Sequence, residues 1–312
     1  MQHEIQPAQS IDDEIDLREL ATVLWAGKNL IVSITALFAI ITLIVVVQIP
    51  NQYKATAVVS PSQKGGSSVL STMASQFGGL ASLAGIKVPS GEGGETEAAM
   101  EIIQSWSFIE EFIQSNQLAA EIFAADNWDR ESNSLSYDES LYDSQQKQWV
   151  RKSPAGKTIE PTSWELYQAF SERLTVTTDK TTGMITIAIE YYSPVLAKQW
   201  LDSYITTINN YMRSRKLEQT NSNIQYLQAQ IEKTAIAGMK EVFYQIIEEQ
   251  IKNKMLAEAS PEYAFVTVNP AMVPEKKSQP KRALICILAT LLGAMLSVLV
   301  VLIRHYAFAE RR

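Results

Sequence analysis

Histidine, cysteine and paired carboxylates build most catalytic and metal sites, and this chain of 312 residues uses the first two sparingly. Its two histidines are His3 and His305, and its one cysteine is Cys286. The long segment between the histidines therefore has no histidine-based triad and no histidine metal ligand. No disulfide can form within the chain, so it must fold without covalent cross-links.

Acidic residues are plentiful, but their positions on helical and loop segments are typical of solvated surfaces rather than catalytic pairs: Glu110, Glu111, Asp138, Glu139, Glu248 and Glu249.

Residues 155–158 read Ala-Gly-Lys-Thr and resemble the end of a phosphate-binding loop. The full motif needs a glycine where Arg151 stands, and it needs a preceding apolar strand. We interpret this segment as a polar turn, and we expect no enzyme activity, metal or cofactor.

Two apolar stretches, one near each end, organise the rest of the chain. Each reaches the length of about 20 residues that a helix needs to cross a bilayer. The first has no basic leader and no cleavage site, unlike a signal peptide. We predict five segments, namely a cytoplasmic segment 1–29, a transmembrane helix 30–49, a domain 50–282, a transmembrane helix 283–303 and a cytoplasmic tail 304–312. Sensor kinases share this plan, but nine residues after the second span are too few for their output module.

Basic residues near the spans indicate which ends face the cytoplasm. Arg18 and Lys28 precede the first span, and Arg304, Arg311 and Arg312 follow the second. Lys276, Lys277, Lys281 and Arg282 lie on the other side, but they belong to a long loop, where the rule is weak. Charge therefore favours both termini in the cytoplasm.

The domain between the spans mixes strand and helix patterns. Strands are predicted at 53–60, 174–178, 184–192 and 263–268, and helices at 15–29, 96–118 and 161–170. Residues 179–183 form a hairpin turn, and the last strand could pair with the first, bringing the two anchors together. Residues 61–94 are a Gly- and Ser-rich loop.

A helical arm at about 194–259 is the most unusual feature. Ser193 and Pro194 form a helix start, and no further proline occurs up to residue 259. A helix over 194–236 is about 60 Å long, so it must project from the domain. We favour a break at Gly238, the one glycine of the arm. The fold class is α+β, with two transmembrane helices flanking a domain that has a membrane-proximal base and a long arm.

Four segments resemble the Wzz-type chain-length determinants, the bacterial polysaccharide co-polymerases. They are Ile15-Asp-Leu-Arg-Glu-Leu before the first span; Tyr53-Lys-Ala-Thr-Ala with Gly78-Gly-Leu-Ala-Ser-Leu-Ala-Gly; Asp179-Lys-Thr-Thr-Gly-Met-Ile-Thr-Ile running to Tyr192-Ser-Pro; and Met255-Leu-Ala, Tyr263-Ala-Phe and the proline-rich run from Asn269 to Arg282. The resemblance covers essentially the whole chain.

The resemblance implies an inner-membrane protein with a periplasmic domain, without the cytoplasmic kinase domain that some relatives carry. It implies a ring-shaped homo-oligomer that sets the modal length of a surface polysaccharide, usually lipopolysaccharide O-antigen. A separate polymerase and the growing glycan are the implied partners, and no nucleic acid is expected. The alternative is a scaffold subunit for capsule or exopolysaccharide export that works with a separate tyrosine kinase.

Two sets of residues are the candidate functional positions. Pro270, Pro274, Pro280 and Arg282 form a proline-rich junction, which we expect to couple the domain rigidly to the second span, because proline fixes φ. Ala289, Gly293 and Ser297 form a small-residue stripe that lets another helix approach closely. Trp128, Trp149 and Trp164 could stack on sugars, although packing within the protein is the favoured interpretation.

Overall fold

The computed structural model describes residues 17–62, 93–153, 156 and 158–309. Most of the predicted loop at 61–94, the first residues of the predicted helix at 15–29, and part of the polar turn at 155–158 lie outside the described residues. The chain divides into two compact units. We call residues 1–50 with 279–312 the helical pair, and residues 51–278 the central domain.

Helices and strands follow one another in a mixed order. The helices are α1 Leu17–Ala26, α2 Lys28–Gln48, α3 Gly93–Ile102, α4 Trp106–Ser115, α5 Ala119–Phe123, α6 Ser163–Ser171, α7 Pro194–Lys233, α8 Ala237–Glu258 and α9 Arg282–Ala309. The strands are β1 Tyr53–Pro61, β2 Ala125–Asp129, β3 Ser134–Tyr137, β4 Tyr142–Asp143, β5 Gln148–Trp149, β6 Leu174–Thr178, β7 Ile185–Tyr191 and β8 Phe265–Asn269.

The helical pair contains two helices, α2 and α9, that are long and apolar enough to cross a membrane. The apolar part of α2 has 21 residues and that of α9 has 25. At a rise of 1.5 Å per residue, both exceed the roughly 30 Å of bilayer hydrocarbon.

The central domain is built on a four-stranded antiparallel sheet with the order β6-β7-β1-β8. Ala55, Ala57 and Val59 of β1 stand opposite Ile189, Ile187 and Ile185 of β7. All six are buried on one face, as strand alternation requires. Small alanines on β1 opposite isoleucines on β7 leave room for a helix to lie across the sheet.

The helix on this face is the first half of α7. Its buried residues recur at helical spacing and include Ala197, Leu201, Tyr204 and Ile208. Phe112 from α4 packs edge-on against Tyr204, with ring centroids 4.9 Å apart. The Tyr204 hydroxyl donates to the carbonyl of Ile103, so the one polar atom of this side chain is satisfied in the core.

The second half of α7 continues beyond this core and pairs with α8. Leu227 and Ile231 pack against Ile247 in a separate small cluster, flanked by Phe243 and Ile246. The helix of 40 residues is about 60 Å long, so the predicted arm is present. The α+β class is likewise confirmed.

Two local predictions are corrected, and the stretch after residue 118 contains strands that no sequence pattern predicted. The predicted helix at 96–118 is two helices, α3 and α4, because Ser105 caps the second by accepting from the Phe108 N–H. The polar stretch after residue 118 contains the short hairpins β2–β3 and β4–β5. The arm breaks at residues 234–236, and Gly238 lies in the first turn of α8.

Candidate functional site at the domain junctions

The two ends of the central domain meet at one point. The Ser278 N–H donates to the carbonyl of Gln52 at 2.8 Å, and the Ser278 hydroxyl contacts the same carbonyl at 3.1 Å. The hydroxyl also bonds to the carboxylate of Glu190 on β7. Lys277 Nζ lies 3.4 Å from Asn51 Oδ1. We call Gln52, Glu190 and Ser278 the junction clamp.

The first and last strands of the central domain pair with each other at the end of β1 that is farther from the clamp. β8 runs antiparallel to β1, with Ser60 opposite Val266 and Pro61 opposite Phe265. The chain therefore enters the domain along β1 and leaves it from β8, the next strand in the sheet.

Asn209 fixes β8 to α7. Its Nδ2 donates to the Phe265 carbonyl at 2.9 Å, and its Oδ1 accepts from the N–H groups of Ala264 and Phe265, both at 2.8 Å. The side chain is 3% exposed, so these three bonds satisfy backbone groups that water does not reach. The arm helix and the last strand are thus linked by a buried amide.

The proline-rich junction begins directly after β8 and runs past Ser278 of the clamp to the first residue of α9. Pro270 follows the last residue of β8 and is exposed, Pro274 is half-buried and Pro280 is buried. The Gln279–Pro280 peptide bond is cis. Ala271, between the first two prolines, is 6% exposed and belongs to the core of the central domain, which fixes the start of this segment.

Arg282 lies at the start of α9, within the helical pair. Its Nη2 donates to the carbonyl of Ile49 at 3.2 Å, at the C-terminal end of α2. The last carbonyls of a helix lack partners within the helix, and a cation there also matches the helix dipole. Arg282 therefore joins the end of α2 to the beginning of α9.

The small-residue stripe of α9 faces α2. A Cβ on Gly293 would lie 2.8 Å from the Cβ of Phe38, so only glycine fits there without movement. Ser297 is fully buried, and its hydroxyl lies 3.4 Å from Thr35 Oγ1. Ala289, one turn before Gly293, is half-buried. Gly293 meets Phe38, and Ser297, which comes later in α9, meets Thr35, which comes earlier in α2. The two helices therefore run antiparallel.

Buried ionisable groups in the central domain serve structure. Arg151, in the place where a phosphate-binding loop needs glycine, is 8% exposed. It pairs with Glu165 at 2.9 Å and donates to the carbonyls of Ile159 and Glu160. These bonds hold the segment before α6 in position.

Glu121 is a second ionisable group in the central domain that burial affects. Burial raises the pKa of the Glu121 carboxyl, and a hydrogen bond from Trp200 opposes that rise.

Within the described residues, no group of three or more His, Cys, Asp or Glu side chains is arranged to hold a metal ion. Sequence reasoning missed Gln52 and Glu190, and Ser278 was noticed only as part of the proline-rich run. No local signal identifies these residues, because the contacts of Ser278 with Gln52 and Glu190 span 226 and 88 residues of sequence.

The fold and its junctions define a class of protein with two apolar helices near the ends of the chain and an α+β domain with a helical arm between them. Residues 13–116 match the Wzz family model, the chain length determinant protein. Residues 236–306 match the GNVR model, whose description reads "G-rich domain on putative tyrosine kinase". Among curated proteins, none matches this chain.

Two solved structures are similar to the chain. One is a full-length bacterial polysaccharide co-polymerase, with 14% identity, a TM-score of 0.37, and coverage of 94% of this chain and 98% of that one. The other is a fragment of WzzB, a polysaccharide co-polymerase from Salmonella Typhimurium, with 12% identity, a TM-score of 0.31, and coverage of 73% and 100%. These superpositions are loose, so the family assignment rests on the sequence matches.

The chain thus carries a Wzz domain, the domain of the chain-length determinants among the polysaccharide co-polymerases, followed by a GNVR domain. Proteins of this family regulate polysaccharide chain length without catalysing the polymerisation, and they generally assemble as oligomers beside a polymerase. The two apolar helices and the family together fit an inner-membrane protein.

Proposed function

We propose that this protein sets the modal chain length of lipopolysaccharide O-antigen as a ring-shaped homo-oligomer that acts with a separate polymerase. The match of residues 13–116 to the chain length determinant family carries the proposal. The domains we propose are cytoplasmic segments 1–29 and 304–312, spans 30–49 and 283–303, and a periplasmic domain 50–282. The proline-rich junction and the clamp would transmit the state of this domain to the spans.

An exposed apolar surface on the arm supports oligomerisation. Tyr244, Ile251 and Met255 are 57%, 44% and 63% exposed. Their spacing of seven and four residues aligns them along one side of α8. Three large apolar side chains in one exposed row are typical of a surface that another chain covers. A neighbouring copy in a ring would bury them.

The length profile of lipopolysaccharide on a gel tests the function. In a deletion strain, we expect the modal cluster of bands to disappear and short, random lengths to remain, with restoration on complementation. An unchanged profile, or complete loss of polymer, would contradict length control of O-antigen.

A second candidate is favoured by the match of residues 236–306 to a domain described on tyrosine kinases. In that case, the protein is a scaffold for capsule or exopolysaccharide polymerisation and export, and it works with a separate kinase. Loss of surface capsule on deletion, together with a normal O-antigen profile, would select this candidate.

Orientation is tested with fusions. Alkaline phosphatase inserted after Lys180, in the exposed turn between β6 and β7, should be active only in the periplasm. A green fluorescent protein at the C-terminus should fluoresce, because it folds in the cytoplasm. The opposite pattern would reject the proposed topology.

A further inference from the structure

A cavity of about 310 Å3 opens on the surface of the central domain. None of the residues that line it belongs to the junction clamp. Its apolar floor includes Ile113 and Leu166, and Trp149 of β5 contributes to its lining. Its polar lining includes Glu110, Gln114, Glu160 and Ser163. The volume lies at the lower end of the range for small-ligand sites, about 300–1,000 Å3.

The lining combines one broad aromatic ring with several hydrogen-bonding groups. A tryptophan ring offers a large apolar face, which suits the C–H face of a pyranose ring. Ionised carboxylates are acceptors only, so Glu110 and Glu160 fit ligands that are rich in hydroxyl donors. The Ser163 hydroxyl accepts from Trp106 Nε1 at 2.7 Å and keeps its own proton for a ligand oxygen.

The charge of the side chains that line the cavity restricts the class of sugar that can bind there. Two acidic side chains and no basic one line the cavity. A uronic acid or another anionic sugar would be repelled, whereas a neutral or amino sugar would not. Two further tryptophans lie near Ser163. Trp106 donates a hydrogen bond to the Ser163 hydroxyl and is 47% exposed, and Trp164 is the next residue in the chain and is 55% exposed. Exposed tryptophans beside a cavity are typical of a recognition surface.

We propose that this cavity binds a short segment of neutral or amino-sugar polysaccharide, with Trp149 as the stacking ring and Glu110 and Glu160 as hydroxyl acceptors. The inference rests on the proposed function, and it assigns the contact with the growing glycan to one particular cavity of the central domain. The residues that line the cavity would then contact the polymer while the arm and the spans hold the assembly together.

The test uses the full-length protein in detergent micelles with three soluble probes. They are a neutral glucan heptasaccharide, a chitosan hexasaccharide and an oligogalacturonate, and binding is measured by calorimetry and by saturation-transfer NMR. We expect binding of the first two and none of the third. Trp149→Ala should weaken glucan binding about tenfold, and the exposed-aromatic control Tyr226→Ala should leave it unchanged.

Because the Trp149 ring also packs on Phe123 and Tyr142, a second variant keeps the test independent of folding. Glu110→Gln/Glu160→Gln removes the negative charge but keeps the shape, so it should admit the oligogalacturonate. The inference is overturned if no neutral probe binds, if Trp149→Ala binds normally, or if the charge variant still excludes the acidic probe. It is also overturned if a photo-reactive residue at position 164 cross-links only to protein.

The two hypotheses fail separately. If the probes bind but the deletion strain has a normal O-antigen profile, the sugar site stands and the proposed function is rejected. If deletion abolishes modal length but the chain binds none of the probes, the proposed function stands and this inference is rejected.

Discussion

The backbone N–H of Ser278 donates to the carbonyl of Gln52 at 2.8 Å, which joins the last residue of the central domain to one of its first. The same serine bonds through its hydroxyl to Glu190, on the strand beside β1. One residue therefore holds both ends of the domain and its sheet together. The contacts of its hydroxyl are hydrogen bonds that single substitutions can remove without creating a cavity in the core.

Ser278→Ala and Glu190→Gln should loosen the junction clamp. We expect each to destabilise the protein by about 1–2 kcal/mol, because the bond between them includes a charged acceptor. For a domain of this size, that corresponds to a decrease in Tm of a few degrees. The double variant should lose less than the sum of the single losses.

In these clamp variants, the distribution of polymer lengths should broaden when the protein is present at the same level as the parent. The control is Ser214→Ala, a change at an exposed serine of α7. A normal length profile in a destabilised clamp variant would separate the clamp from length control.

Asn209→Leu should be among the most damaging substitutions in the central domain. Leucine cannot form the three hydrogen bonds of Asn209. The N–H groups of Ala264 and Phe265 and the carbonyl of Phe265 would then lose their hydrogen-bond partner inside the protein. We expect a loss of at least about 2 kcal/mol, measured as a lower Tm or as loss of protein from the membrane. Asn210→Ala, a change at its exposed neighbour, is the control and should be nearly neutral.

Gly293→Ala should push α9 away from α2. The new methyl group would lie 2.8 Å from Phe38 Cβ and 3.0 Å from its Cγ, closer than carbon atoms can pack. We expect a lower Tm, and Phe38→Ala in the same chain should restore only part of it, because it removes the ring with its Cγ but keeps the closer Cβ. Unchanged stability of Gly293→Ala would show that the two helices move apart at little cost.

Gly238→Ala is the matched control for that experiment, because nothing lies within 4 Å of the added carbon. Gly238 is in a helix, and alanine costs less helix entropy than glycine there. We expect an increase in stability of about 0.5–1 kcal/mol. The same substitution should therefore have opposite signs at the two glycines.

Glu121→Gln should change the pH dependence of stability. Burial raises the folded-state pKa of this carboxyl above its ordinary value of 4.5, although the Trp200 hydrogen bond opposes the shift. The folded protein then holds this proton more tightly than the unfolded chain. Its contribution is fully present below the ordinary pKa and is lost as pH rises through the raised one.

The glutamine variant should consequently be at least as stable as the parent at pH 7, and its advantage should shrink in acid. Thermal unfolding between pH 4 and pH 7 measures the difference. Glu139→Gln, at an exposed position, is the control. A variant that is less stable than the parent at pH 7 would mean that the carboxylate is stabilising.

Local patterns predicted much of this fold. Ser193 and Pro194 start α7, and the Ser193 hydroxyl accepts from the Leu196 N–H as a capping residue should. The strands of the sheet carry β-branched residues in alternation, and the turn at 179–183 joins two of them. The pairing of β1 with β8 could be anticipated from the order of the elements.

The remaining features depend on long-range contacts. β2 and β3 consist largely of Asp, Asn and Ser, which have little strand propensity, and Trp128 packs against Tyr53 instead. The break of the arm is set by the packing of Leu227 and Ile231 on Ile247, which requires a turn between them. Gly238 is tolerated inside α8, because one glycine costs a helix only about 1 kcal/mol.

The arrangement of the chain ends has a consequence for how this protein can be re-engineered. Since Asn51 and Gln52 contact Lys277 and Ser278, the central domain is an insertion between two antiparallel helices, with its entry and exit side by side. Domains whose ends lie close together can be transplanted between hosts with short linkers. Exchange of residues 51–278 between relatives would thus produce chimaeras that keep the helical pair of the recipient, and their polymer length profiles would show which of the two units sets the length.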